Sequence, residues 1–181
     1  ERVLDDKLSF YANYINQPGH DGTGRYIPYW NRGSGQVVLE PLLDYDKPGA
    51  GDYYLIPKQT GRETLIEPYP YVVAGQELQI TSVAVPVMLD GQFLGVVGVD
   101  IALSSLQDNI GKIRIFDNGY ASLLSNQAVY VGDRDPARIG KGLGSESEFA
   151  AVRAAILAGQ RHELTTQDER LGEVIRLYVP V

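Results

Sequence analysis

The chain has 181 residues, 44% of them apolar and 22% charged, a globular composition with enough core-forming material for one domain or two small ones. Its net charge of −7 argues against broad electrostatic attraction to nucleic acid or to an anionic membrane surface. The absence of cysteine excludes thiolate metal sites, disulfides and cysteine nucleophiles.

No run reaches the roughly 18 apolar residues of a membrane span, and nothing reads as a signal peptide. The sequence opens on Glu1 rather than methionine and stops at the strand-like "RLYVPV". Both ends read as cuts, so membrane helices are expected outside this stretch.

Residues 1 to 35 are rich in turns, with a short aromatic strand from Arg25 to Trp30 between turn signals. Pro48 to Gly51 reads as a loop, and Asp52 to Ile56 as the start of either a short helix or a strand. "ETLIEPYPYVVAG" and "QELQITSVAVPVML" are β-rich runs joined at Ala74-Gly75. The second run meets "QFLGVVGVDIAL" across Asp90-Gly91, a dipeptide strongly favoured in two-residue hairpin turns. Three consecutive antiparallel strands are predicted, with Pro68, Pro70 and Pro86 at bulges or edges.

Beyond Asp100 the period becomes helical, with Leu103, Leu106 and Ile110 on one face and a stop at Gly111. "GYASLLSN" and "AVYVGD" form a second β region. "SESEFAAVRAAILAGQ" predicts a helix, with Ser145 and Glu148 as a capping box and Gly159 as its C-terminal stop. "HELTTQD" and "EVIRLYVPV" then read as a hairpin. The late "RLYVPV" echoes "SVAVPV", a weak sign of two related α/β units split near residue 108.

Little in the chain suits catalysis. His20 lies in a Pro-Gly-rich loop and His162 at a helix-to-strand junction, and both read as solvated loop residues. "RGSGQ" has Arg32 where a nucleophile elbow needs glycine. "GAGDYY" lacks the third glycine of a dinucleotide loop, and no G-K-[ST] phosphate loop is present. Asp44, Asp46 and Asp52 could bind a hard cation, but without a twelve-residue calcium loop they read better as solvated turn carboxylates. These findings disfavour an enzyme and imply no cofactor and no metal.

Tyrosine is distributed unevenly: nine of the twelve tyrosines, and the single Trp30, precede residue 72. A core fills space with Leu, Ile and Val without hydroxyls to satisfy, so this excess points to a pocket for something polar and partly cationic. On one strand Glu67, Tyr69 and Tyr71 share a face. On the next, Asp100 shares its face with Gly98 and Val96, and the glycine leaves open space above the sheet. Aromatic walls with a few carboxylates suit an ammonium group. The competing reading is amphipathic cover for an edge or an interface. Asp100 has its own second reading, as N-cap of the following helix.

"PGHDGTGRYIPYWNRGSG", "LEPLLDYDKPGAGDYYLIPK", "EPYPYVVAG" and "LGVVGVDIAL" closely resemble the double-Cache (tandem PAS-like) extracellular sensor domains of bacterial methyl-accepting chemotaxis receptors. The resemblance is nearest to the subgroup that senses amines and polyamines. It is dense over about residues 15 to 110 and lies in pattern only beyond. It implies a ligand in the membrane-distal unit, with Asp100 on the ligand's amino group, Tyr69 as a pocket aromatic, and Tyr53 and Tyr54 where amino-acid sensors carry Trp-Tyr. Those sensors place a carboxylate-binding arginine just before that pair, where this chain has Ala50 and Gly51, and an aspartate where it has Tyr71. Both departures favour a ligand without a carboxylate. Glu67, Asp46 and Trp30 complete the expected site.

The expected fold is therefore α/β, with two tandem PAS-like antiparallel sheets and flanking helices. Residues 1–103 would form the membrane-distal ligand-binding unit and 104–181 the membrane-proximal relay, whose sheet would be filled by its own side chains. The resemblance implies a homodimeric receptor anchored in the inner membrane through helices outside this stretch. Its periplasmic domain would bind an amine and control chemotaxis. Alternatives are an amino-acid or carboxylate ligand, output through a histidine kinase or cyclic-dinucleotide enzyme, and a ligand-free adhesion module.

Overall fold

The computed structural model describes residues 12–145, 147–168 and 171–181. The chain divides into two compact units, the first ending at Ala102 and the second beginning at Leu103.

The first unit opens with an antiparallel pair, β1 (Pro28–Asn31) and β2 (Val38–Pro41). Helix α1 (Asp52–Thr60) follows, so the Asp52 to Ile56 segment is helical. Then come β3 (Thr64–Leu65), β4 (Tyr69–Val73), β5 (Gln76–Leu89) and β6 (Gln92–Ala102), which form one antiparallel sheet. Ile80 pairs with both Tyr69 and Ala102, and Ala84 with both Thr64 and Gly98. β3 and β4 therefore lie end to end along one edge of β5, with β6 along the other.

Both hairpin turns are tight for the same reason. Ala74 and Gly75 have φ of 49° and 77°, and Asp90 and Gly91 have 49° and 76°. Two successive left-handed residues make a type I′ turn, whose twist matches that of the strands it joins. Pro70 lies on β4, which pairs only with β5. Pro86 lies beyond the last β5 residue paired with β3. Neither removes a bond the sheet needs. The register break falls between Val87 and Met88 rather than at a proline.

The expectation that a core does not need tyrosine is overturned here. Tyr53 (8% exposed) and Tyr71 (7%) belong to the buried cluster of this unit, with Ile66, Val73 and Ile80. Their hydroxyls are satisfied by one loop residue: Tyr53 donates to the Leu43 carbonyl at 2.5 Å, and the Leu43 N–H donates to Tyr71 at 3.0 Å. Tyrosine in this core also clamps the loop before α1.

The second unit contains α2 (Leu103–Ile110), β7 (Arg114–Ile115), β8 (Gly119–Tyr120), β9 (Leu123–Leu124), β10 (Tyr130–Gly132), α3 (Glu148–Leu157), β11 (His162–Asp168) and β12 (Gly172–Tyr178). Its strands form three antiparallel pairs among the described residues, β7–β8, β9–β10 and β11–β12. Ala128, Leu143, Phe149 and Val152 form its core.

Helix α3 stops as expected. Gln160 N–H bonds to the Ala155 carbonyl and Gly159 N–H to that of Ile156, with Gly159 at φ 62°, which is a Schellman ending. The expected capping box is absent: the N-cap is Ser147, without a side-chain cap bond, and the Glu148 carboxylate instead accepts from the Thr166 hydroxyl at 2.9 Å.

Candidate functional site

Five elements of the first unit bring the candidate residues together. On β5, Ser82 pairs directly with Asp100 on β6, so their side chains leave the same face of the sheet. Tyr69 and Tyr71 alternate on β4 and share a face. Tyr53 comes from α1, and Tyr29 from β1.

Tyr71 is the hub of the rings. Its centroid lies 5.7 Å from that of Tyr29 and 6.1 Å from those of Tyr53 and Tyr69, each at a steep edge-to-face angle. This is the geometry that aromatic quadrupoles prefer.

A directed hydrogen-bond chain runs along the polar side of this cluster. The Ser82 hydroxyl donates to Asp100 Oδ1 at 2.6 Å and lies 2.8 Å from the Tyr69 hydroxyl. Because the single serine proton goes to the carboxylate, Tyr69 is the donor to Ser82. Ser82 is almost fully buried, so this arrangement is fixed by the sheet.

Asp100 pairs within β6, and helix α2 starts only at Leu103. The N-cap alternative for Asp100 is therefore removed. Among the described residues no basic side chain makes an ion pair with Asp100. The phenols of Tyr29, Tyr53, Tyr69 and Tyr71 are all held above their ordinary pKa, chiefly by burial. The negative charge of Asp100 adds to the shift in all four. Four hydroxyls thus sit within the field of one carboxylate.

The floor beside Asp100 is small. Gly98, on the same face, pairs with Ala84, and a Cβ added at Gly98 would meet only the backbone of β5, with the Val83 carbonyl 3.2 Å away. The space directly above this glycine is therefore tight rather than open, as the close Val83 carbonyl shows.

The other predicted residues are placed differently. Trp30 is 63% exposed, because neighbours on a strand face opposite ways and Tyr29 takes the inward position. Asp46 is exposed in the loop before α1, beside the Asp44–Lys47 ion pair. Tyr54 packs on the cluster but turns its hydroxyl to Arg25, whose guanidinium donates to it at 2.7 Å and lies over the Tyr45 ring. Glu67 is half-buried in the irregular link between β3 and β4.

Tyr29 and Ser82 were missed by sequence reasoning. For Tyr29 the signal was available, since adjacent aromatics on a strand cannot both face inward. For Ser82 the pairing of β5 with β6 had to be known.

Gly51, at the N-cap of α1, is buried, and a Cβ there would lie 2.3 Å from the Asp44 carbonyl oxygen. Position 51 cannot hold an arginine without moving this loop.

In the second unit Tyr130, Ile156, Leu164 and Tyr178 pack against the buried cluster. A groove of about 810 Å³ opens there, lined among others by Tyr120, Tyr130, Arg134, Arg138 and Arg176. Among the described residues, no group of three or more His, Asp or Glu side chains could hold a metal ion.

This architecture, an antiparallel sheet with flanking helices, is that of a sensor domain of the PAS-like kind. The family model "Methyl-accepting chemotaxis protein-like, first PDC sensor domain" matches residues 1–108, and the chain belongs to that family. Its relatives are receptor and sensor domains rather than enzymes.

The methyl-accepting chemotaxis protein TlpQ of Pseudomonas aeruginosa is 30% identical over 175 residues, covering 87% of this chain. The chain spans about a quarter of the length of that relative, 24%. Among solved structures, the extracellular domain of the putative histidine kinase mmHK1S-Z3 superposes with a TM-score of 0.84 at 34% identity, covering 98% of this chain and 70% of that one. A structure named methyl-accepting chemotaxis protein X matches with a TM-score of 0.72 at 25% identity, over 90% of this chain and 60% of that one.

Proposed function

We propose that this chain is the ligand-sensing region of a chemotaxis receptor and that its first unit, distal to the membrane, binds a small organic amine at Asp100. One observation carries the reading. A carboxylate without a basic partner among the described residues is oriented by Ser82 beneath a group of tyrosines, next to a floor of glycine and alanine.

An ammonium group there would gain a charge-assisted hydrogen bond from Asp100 and the faces or hydroxyls of Tyr69, Tyr29 and Tyr71. The tight turn at Gly51 leaves no room for a carboxylate-binding arginine at that position, which favours an amine over an α-amino acid. The receptor would be a homodimer in the bacterial inner membrane, with this region on the periplasmic side. Output through a histidine kinase is a second reading, favoured by the likeness to mmHK1S-Z3. The coding sequence downstream of residue 181 discriminates between the two.

A thermal-shift screen tests the ligand class. Putrescine, cadaverine and spermidine should raise the melting temperature of the wild-type chain and fail to do so in Asp100→Asn. Ligand at about 100 times Kd adds roughly 2.7 kcal/mol, a shift on the order of 5–10 °C for a chain of this size. No shift by any amine, or equal shifts in both proteins, would overturn the proposal.

A further inference from the structure

The groove of the second unit brings arginine side chains together, unlike the surroundings of Asp100. We propose that it is a separate binding site for a small organic carboxylate, independent of the amine site. Among the described residues its formal charges balance, with Arg134, Arg138, Lys141 and Arg176 facing Asp133, Asp135, Glu148 and Asp168. Its hydrogen bonding does not balance.

Each acid accepts at least one hydrogen bond within the unit. Asp133, 1% exposed, accepts from the Ser122 hydroxyl at 2.5 Å and the Asp135 N–H at 2.7 Å, with Arg138 at 3.7 Å. Asp135 accepts from the Ala137 N–H at 3.0 Å, capping a short 3₁₀ turn. Glu148 is taken by Thr166, and Asp168 by Arg176 at 3.6 Å and the Leu171 N–H at 3.2 Å.

The donors are in surplus. Arg134 and Lys141 are exposed and make no ion pair among the described residues. Three guanidinium groups of the groove lie over rings: Arg134 over Tyr120 at 5.9 Å, Arg138 over Tyr130 at 5.6 Å, and Arg176 over Phe149 at 5.4 Å. Stacking on a ring positions a guanidinium while leaving its N–H edge available, and that planar fork matches a carboxylate. A concave groove of about 810 Å³ falls in the range of small-molecule sites. Aromatic surface and the arginine forks together favour an organic acid over an amine.

Calorimetric titration of the 181-residue chain with succinate, citrate and inorganic phosphate tests this. One carboxylate should bind saturably, at least about tenfold more tightly than phosphate, and lose about tenfold or more in affinity in Arg134→Gln and in Lys141→Gln. Asp100→Asn should leave that affinity unchanged, which separates this site from the amine site. Both replaced side chains are exposed and outside the core, so the unliganded melting temperature should hold. If one variant melts lower, the other carries the test. No binding up to about 10 mM, phosphate binding as tightly as the acids, or an affinity untouched by either substitution would overturn the proposal.

Discussion

Ser82 stands between two groups that each need it: its hydroxyl donates to Asp100 and accepts from Tyr69. Replacing it by alanine leaves a half-buried phenol and a carboxylate oxygen each short of a partner, at about 1–3 kcal/mol. Ser82→Ala is therefore predicted to lower the unfolding free energy by about that amount in urea titrations. A change below about 0.5 kcal/mol would mean that neither partner depends on the serine. The neighbouring pair Tyr29 and Trp30 shows how far single residues were legible. The sequence points to Asp100 and Tyr69 as neighbours, and Ser82 links the two. The sequence reading nevertheless chose Trp30, because abundance says nothing about strand phase. The edge-to-face contact of Tyr29 with Tyr71 and the exposure of Trp30 show which ring turns inward.

Among the elements, the hairpins were the most legible, because Asp90-Gly91 encodes its turn in two adjacent residues. Ala74-Gly75 makes the same turn with a poorer residue, since alanine at φ 49° crowds its Cβ against the backbone. Ala74→Gly relieves this and adds no atoms beside Gly33, whose Cα lies close to this turn. It is predicted to stabilise the chain by about 0.5–1 kcal/mol, net of the greater freedom of glycine in the unfolded state. An unchanged or lowered urea midpoint at constant slope would contradict the assignment of strain to Ala74. The groove of the second unit was not legible, because its lining runs from Tyr120 to Arg176 and converges only through the folding of short strands. The capping box failed for a related reason: Ser145 and Glu148 have the right spacing, but Thr166, eighteen residues away, competes for the carboxylate.

For the whole molecule, the buried tyrosines set a limit in alkali. The phenols of Tyr29, Tyr53, Tyr69 and Tyr71 are all raised above the ordinary 10.0, with burial the main cause. The folded state then holds these protons more tightly than the unfolded chain does. Their contribution to stability is complete below about pH 10 and falls as the pH rises further, where only the unfolded chain ionises. The melting temperature should decline steeply from about pH 10 upward, and phenolate absorbance from these residues should appear only with unfolding. Full ionisation of all tyrosines under native ellipticity would contradict this. The central claim, that Asp100 holds a ligand ammonium, is tested most directly by calorimetry of the wild type and Asp100→Asn with the most stabilising amine. Asparagine keeps the shape and removes the charge. Losing one side of a buried charged hydrogen bond should cost about 2–5 kcal/mol of binding, some thirtyfold to several thousandfold in Kd, with the unliganded melting temperature nearly unchanged. An Asp100→Asn variant that binds the amine with wild-type affinity would contradict the account.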